Sequence, residues 1–155
     1  MQPRLSYEDF TKAAPGAYAG LAALSKAVDE SGLEKSLTEL VKLRASQMNG
    51  CAFCVSFHLN RLRKLAVAQE KIDLLPAWRE ADVFSDRELV ALAWTETLTD
   101  LSPRGASNKA YAALLDHFTD SEAMFLSVAI ATINSWNRLG VALRFAPLEL
   151  RAPGK

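Results

Sequence analysis

Apolar residues along this chain recur at intervals of three and four, and residues that favour strands are few. That spacing places apolar side chains on one face of successive amphipathic helices, so it predicts an all-α chain. Helices are expected over 16–30, 34–48, 51–69, 86–99, 108–118 and 120–145, with a short segment over 72–78, giving a single-domain bundle of about six to seven helices. The starts of two are marked by local chemistry: Ser85-x-x-Glu88 and Thr119-x-x-Glu122 are capping boxes, in which hydroxyl and carboxylate satisfy the first free amides of the helix. Asn49-Gly50 breaks the pattern between two helices, and Leu101 to Gly105 reads as the clearest loop. A Pro-containing arm, 1–15, precedes the helical domain of 16–145, and a tail, 146–155, with two prolines and a glycine is expected to fray.

A chain of 155 residues, half of them hydrophobic, is one domain's length and can bury a core without disulfide or metal staples. Lys plus Arg and Asp plus Glu balance at 18 each, which leaves no global field to gather nucleic acid or anionic lipid. The first residues contain Arg4, Glu8 and Asp9 and no apolar run of the kind a secretory leader needs. The longest apolar stretch, Ala123 to Ile133, is far short of the ~20 residues of a membrane span. A cytoplasmic protein is therefore expected, with neither nucleic acid nor membrane as partner. In a reducing compartment, two cysteines at C-x-x-C spacing are redox-active or metal-binding sooner than structural.

The chemistry concentrates in twenty residues. Glu39 precedes Cys51-Ala52-Phe53-Cys54, and His58 follows. Cys51 and Cys54 are three apart on a helix, close enough to bridge, and His58 lies one turn beyond Cys54. Glu39, on the preceding helix, reaches them if the two helices pack antiparallel across Asn49-Gly50. Asn49 as N-cap would set both cysteines in the first turns of a helix, whose positive end stabilises thiolate. The dipole favours Cys51 as the more acidic thiol, the His58 pairing favours Cys54, and spacing leaves their order open. A bridge that closes so short a loop removes little unfolded-state entropy and suits reversal.

Other readings of the same residues stand beside this one. Glu39, Cys51, Cys54 and His58 are acceptable zinc ligands, although no second C-x-x-C or H-x-x-x-H knuckle accompanies them. A non-catalytic redox sensor or metal-binding protein is the corresponding function. Covalent haem attachment is excluded, because Val55 stands where C-x-x-C-H requires histidine. No cofactor or resident metal is expected.

The run from Glu39 to His58 closely resembles the signature of the alkylhydroperoxidase D-like proteins of the carboxymuconolactone decarboxylase superfamily. The resemblance extends to Phe84–Glu88, Ala91–Trp94 and Ile133–Arg138, and so over roughly 15–145. It implies an all-helical fold, homo-oligomers (dimer, trimer or hexamer), and a thiol peroxidase acting on organic hydroperoxides. Cys54 would be the attacking thiol, Cys51 the resolving one, and Glu39 and His58 a proton relay. A dithiol of lipoyl or thioredoxin type would be the reductant. The superfamily's other branch, decarboxylase-like acid–base chemistry with Glu39 and His58, needs no cysteine pair. One departure is Phe53, which stands where the peroxidase relatives carry a further histidine and so shortens the relay.

Asn134, Asn137 and Arg138 make a polar stripe on the last long helix, best explained by amides that satisfy buried carbonyls or an oligomer contact. Trp78, Trp94 and Trp136 are expected in the core or an interface rather than around a substrate.

Overall fold

A computed structural model describes residues 2–101 and 105–152; the middle of the predicted 101–105 loop and the last three residues of the tail lie outside the described residues. Among the described residues eight α-helices run in chain order: α1 (Tyr7–Ala13), α2 (Pro15–Asp29), α3 (Lys35–Met48), α4 (Ala52–Lys64), α5 (Gln69–Leu74), α6 (Asp86–Thr99), α7 (Asn108–Leu115) and α8 (Asp120–Leu143). A 3-10 turn, Leu75–Glu80, follows α5, and no strand occurs among the described residues.

Both predicted capping boxes form: the side chains of Ser85 and Thr119 accept from the amides of Glu88 and Glu122, whose carboxylates reach back to the cap amides. A third box was not foreseen. Ser6 and Asp9 make the same reciprocal pair and start α1 inside the stretch read as an irregular arm. The helix predicted over 51–69 stops short, because Leu65 closes α4 and Ala66 takes a left-handed φ of 54°, and α5 with the 3-10 turn stands where the short segment over 72–78 was expected. The added α1 is what takes the helix count among the described residues past the expected six to seven.

The organising element is α3, which packs against α4, α6 and α8. It contributes to all three apolar clusters: Leu37 and Val41 with Trp94, Leu126 and Ile130; Leu40 and Leu43 with Leu62, Leu75 and Leu92; Ala45 with Phe10, Ile133 and Phe145. No broad face of α3 is left for water, so its polar residues Thr38, Glu39, Lys42 and Ser46 are buried too. A buried ion persists only with partners that replace its hydration, which makes Glu39 and Lys42 the residues to follow.

The tail is held rather than frayed as far as Arg151. Leu148 N donates to Ser56 Oγ (2.8 Å), Asn60 Nδ2 to Glu149 O (2.9 Å) and Arg151 N to Asn60 Oδ1 (2.8 Å). The sequence reading weighed its Pro and Gly content but not the hydrogen-bonding side chains that α4 presents to it.

Candidate functional site

Cys51 and Cys54 are joined as a disulfide at the entry to α4, with Cα atoms 5.3 Å apart. Asn49 does not cap this helix. It ends α3 in helical conformation, and Gly50, at φ 65°, turns the chain so that Cys51 becomes the N-cap, its Sγ accepting from Cys54 N at 3.3 Å. The Asn49 amide is used elsewhere: Nδ2 donates to Asn134 Oδ1 and Asn137 Oδ1, each at 2.9 Å, and Asn137 Nδ2 donates to Ser46 Oγ at 3.0 Å. The predicted polar stripe on α8 thus pins the turn that presents the cysteines. Arg138 turns back onto its own helix, donating to Asn134 O.

A residue the sequence reading passed over stands against the sulfurs. A Cβ on Gly140, midway along the last turns of α8, would lie 2.6 Å from Cys51 Sγ and 3.4 Å from Cys54 Sγ. Glycine inside a helix costs about 1 kcal/mol relative to alanine, and here it lets α8 approach the disulfide. That propensity conflict is the signal by which Gly140 could have been found.

Across the turn, α3 and α4 bring the carboxylate to the imidazole. Glu39 Oε2 lies 2.6 Å from His58 Nδ1, and Glu39 Oε1 accepts from Lys42 Nζ at 3.1 Å, all three side chains being largely buried. Arg61 Nε stands 3.9 Å from the same oxygen, at the solvent edge. Burial alone would raise the Glu39 carboxyl, but the His58 hydrogen bond and the charges of His58 and Lys42 outweigh it and hold the pKa at about 2. Burial pushes His58 below its ordinary 6.5, with Lys42 and Arg61 acting in the same direction against the opposing pull of Glu39. We therefore assign a neutral imidazole at pH 7, with Nδ1–H donating to an ionised Glu39 and the other ring nitrogen left as a base. Lys42 was missed in the sequence, although it sits at i+3 from Glu39, where helical side chains meet.

A cavity of about 320 Å³ opens beside this pair. Cys54, His58 and Glu39 line it together, while Cys51 does not reach it; both cysteines are buried, at 3% and 1% exposed for Cys54 and Cys51. Its apolar wall is built from Tyr7, Tyr18, Phe53, Ile133 and Trp136. Trp78 and Trp94 are core residues as expected, whereas Trp136 faces the cavity. Phe53 is stacked on Tyr7 at a centroid distance of 5.1 Å and packs edge-on against Phe145 at 5.5 Å, so the position of the relatives' extra histidine is given over to aromatic packing. Burial and the adjacent Tyr18 phenol raise Tyr7 to about 12, which keeps it a neutral phenol. Among the described residues no three His, Cys, Asp or Glu side chains are grouped so as to hold a metal ion, and no helix is long and apolar enough to cross a membrane.

Glu39, Cys51, Cys54 and His58 sit within residues 15–97, which match the model of the carboxymuconolactone decarboxylase family. The chain belongs to that family. Bacillus subtilis (strain 168) YdfG, an uncharacterized protein, is 33% identical over 143 residues, which cover 92% of this chain and 95% of YdfG. A solved structure of a protein of unknown function from Agrobacterium tumefaciens, a candidate antioxidant-defence protein AhpD, is 37% identical, with a TM-score of 0.89 over 96% of this chain and 99% of its own. The debrominase Bmp8 shares the fold alone, at 19% identity and a TM-score of 0.79 over 89% of this chain and 74% of Bmp8. Tyr7, Trp136 and Gly140 fall outside the matched family segment, so α1 and α8 supply the parts of the site that surround its family core.

Proposed function

We propose that the protein is a thiol peroxidase that reduces organic hydroperoxides through the Cys51–Cys54 pair. The observation that carries this reading is the asymmetry of the two sulfurs: Cys54 lines the cavity with His58, and Cys51 is enclosed behind it. Geometry thus supports the order that spacing left open.

In the reduced protein His58 takes the Cys54 proton, and its imidazolium is stabilised by the ionised Glu39. The thiolate attacks the distal peroxide oxygen, the O–O bond breaks, and the alkoxide leaves as alcohol with the proton returned by His58. Cys54 is then a sulfenic acid. Cys51 attacks its sulfur, water departs, and the disulfide forms. An external dithiol of lipoyl or thioredoxin type returns two electrons and two protons by thiol–disulfide exchange. Tyr7, held as a phenol, is a hydrogen-bond donor in the same cavity.

The test is single-turnover thiol counting with mass analysis on reduced protein given one equivalent of an organic hydroperoxide. Loss of two thiols with a two-hydrogen decrease in mass is expected. Cys51→Ser should stop at a trappable sulfenic acid, and Cys54→Ser should not react. Undiminished peroxide consumption by Cys54→Ser would sink the assignment.

A further inference from the structure

The side chains that α4 sends toward the cavity change character along the helix. Phe53 and Cys54 stand at its N-terminal end beside Tyr7, Ile133 and Trp136; His58 is one turn on, and Arg61 one turn further. Arg61 also lines a second cavity, of about 190 Å³, with Lys35, Lys64 and Leu65. Arg61 is therefore the shared wall between a largely apolar chamber that holds the thiol and a basic one at the helix's far end.

The charges of the basic end are only partly answered. Lys35 reaches Asp29 at 3.6 Å, and Arg61 reaches Glu39 only at 3.9 Å, on an oxygen already taken by Lys42. Lys64 makes no ion pair among the described residues. Lys26, the remaining cation at the cavity, is paired with Glu30. This end thus has cationic capacity beyond the carboxylates that face it, and the half-exposed guanidinium of Arg61 offers the forked donor geometry that a carboxylate accepts.

We propose that the substrate is a hydroperoxide that itself carries a carboxylate. Its apolar part lies against Tyr7, Phe53 and Trp136, its peroxide meets Cys54, and its carboxylate is held by Arg61 and Lys64. Arg61 is seven residues beyond Cys54, a rise of roughly 10 Å along the helix, and Lys64 is roughly 15 Å beyond it. The favoured substrate therefore has its peroxide in mid-chain, separated from the carboxylate by an alkyl spacer, with a further apolar segment on the other side. A small neutral hydroperoxide satisfies only the central position. The inference rests on the peroxidase reading, and the chemistry is the step already described, with the carboxylate retained in the alcohol product.

The experiment compares the hydroperoxide of linoleic acid with its methyl ester, both below their micelle-forming concentrations, and tert-butyl hydroperoxide as a third reagent. The rate of thiol loss from the reduced protein is the readout. The free acid should react about two- to fivefold faster than its ester, the range an accessible ion pair supplies. High salt should shrink that ratio, and in the double variant Arg61→Gln/Lys64→Gln it should fall toward one. Equal rates for acid and ester in the unaltered protein, with both oxidising the pair, would overturn the substrate class and leave the peroxidase reading standing. A preference that survives in the double variant would overturn the placement of the carboxylate. If none of the three reagents consumes the thiols, the peroxidase reading itself fails.

Discussion

Two glutamates are set into the helical bundle, Glu39 on α3 and Glu96 on α6, and they are surrounded differently. Glu96, on α6, accepts from Arg44 Nε and Trp78 Nε1, both at 2.8 Å, and pairs with Arg79 at 2.5 Å. Burial would raise its carboxyl, yet these donors bring it below the ordinary 4.5. Glu39 is likewise held ionised, but one of its donors is the imidazole of His58, which lines the cavity with Cys54. Guanidinium and indole neither gain nor lose a proton near neutral pH, whereas imidazole takes one up and returns it at its second ring nitrogen. The same group, half-buried at Glu96 and fully buried at Glu39, therefore fastens three side chains in one place and tunes a base in the other. What separates structure from chemistry here is whether the acid's donor can exchange a proton at a cavity that a substrate can enter.

The sharpest way to break this contrast is to neutralise each acid in turn. Glu39→Gln removes the charge that stabilises the His58 imidazolium and should slow single-turnover thiol oxidation by about 10²–10⁴-fold, the range for a positioned proton-transfer group. Glu96→Gln should leave that rate within about a few-fold while costing about 1–3 kcal/mol in urea unfolding, because Arg44 and Trp78 lose their ionised acceptor. If Glu96→Gln slowed oxidation as much as Glu39→Gln, the two clusters would not be distinct in role.

Acid stability divides them a second time. His58 is held below its ordinary 6.5, so the neutral form is the one the fold favours; that stability is present above pH 6.5 and is lost as pH falls from there through the folded pKa. Glu39 is held at about 2, so its contribution is present above 4.5 and is lost as pH falls toward 2. Glu96 is lowered in the same sense and acts only below 4.5. Urea midpoints should therefore begin to fall below pH 6.5. In His58→Gln the decline above pH 4.5 should be smaller, whereas Glu96→Gln should keep it.

How far the sequence disclosed these regions follows from the range of the interactions. Helix starts at Ser85 and Thr119 were readable because capping is local, and the E–C-x-x-C–H run was readable because each spacing maps onto one helix or one turn. The Ser6–Asp9 box was equally local but lay in a stretch weighed by its prolines. Residues fixed by helices that meet across the fold were not readable. Lys42 looks like any exposed helical lysine until α3 is seen enclosed on all sides, and Asn49 looks like an N-cap until Asn134 and Asn137, some 85 and 88 residues away, claim its amide. Glu96 carried no local signal at all, since its partners Arg44, Trp78 and Arg79 converge from α3 and the 3-10 turn.

The smallest expected effect concerns one cation of each cluster. Lys42 bonds Glu39 and also lowers His58 through its charge; Arg79 bonds Glu96 and stacks over Trp78 at 4.1 Å with a side chain 57% exposed. Replacing Lys42 with Met leaves Glu39 ionised and removes a positive charge from the neighbourhood of the imidazole, so the His58 pKa must rise. A base that titrates higher is protonated over more of the acid range, and the acid limb of the pH–rate profile should move to higher pH with its plateau little changed. Arg79→Met removes a charge that faces only Glu96 and the indole, and it should cost about 1 kcal/mol or less in stability while leaving the profile in place. A profile that moved equally in both variants would mean that His58 responds to the general charge of the bundle, and the local relay from Glu39 would lose its support.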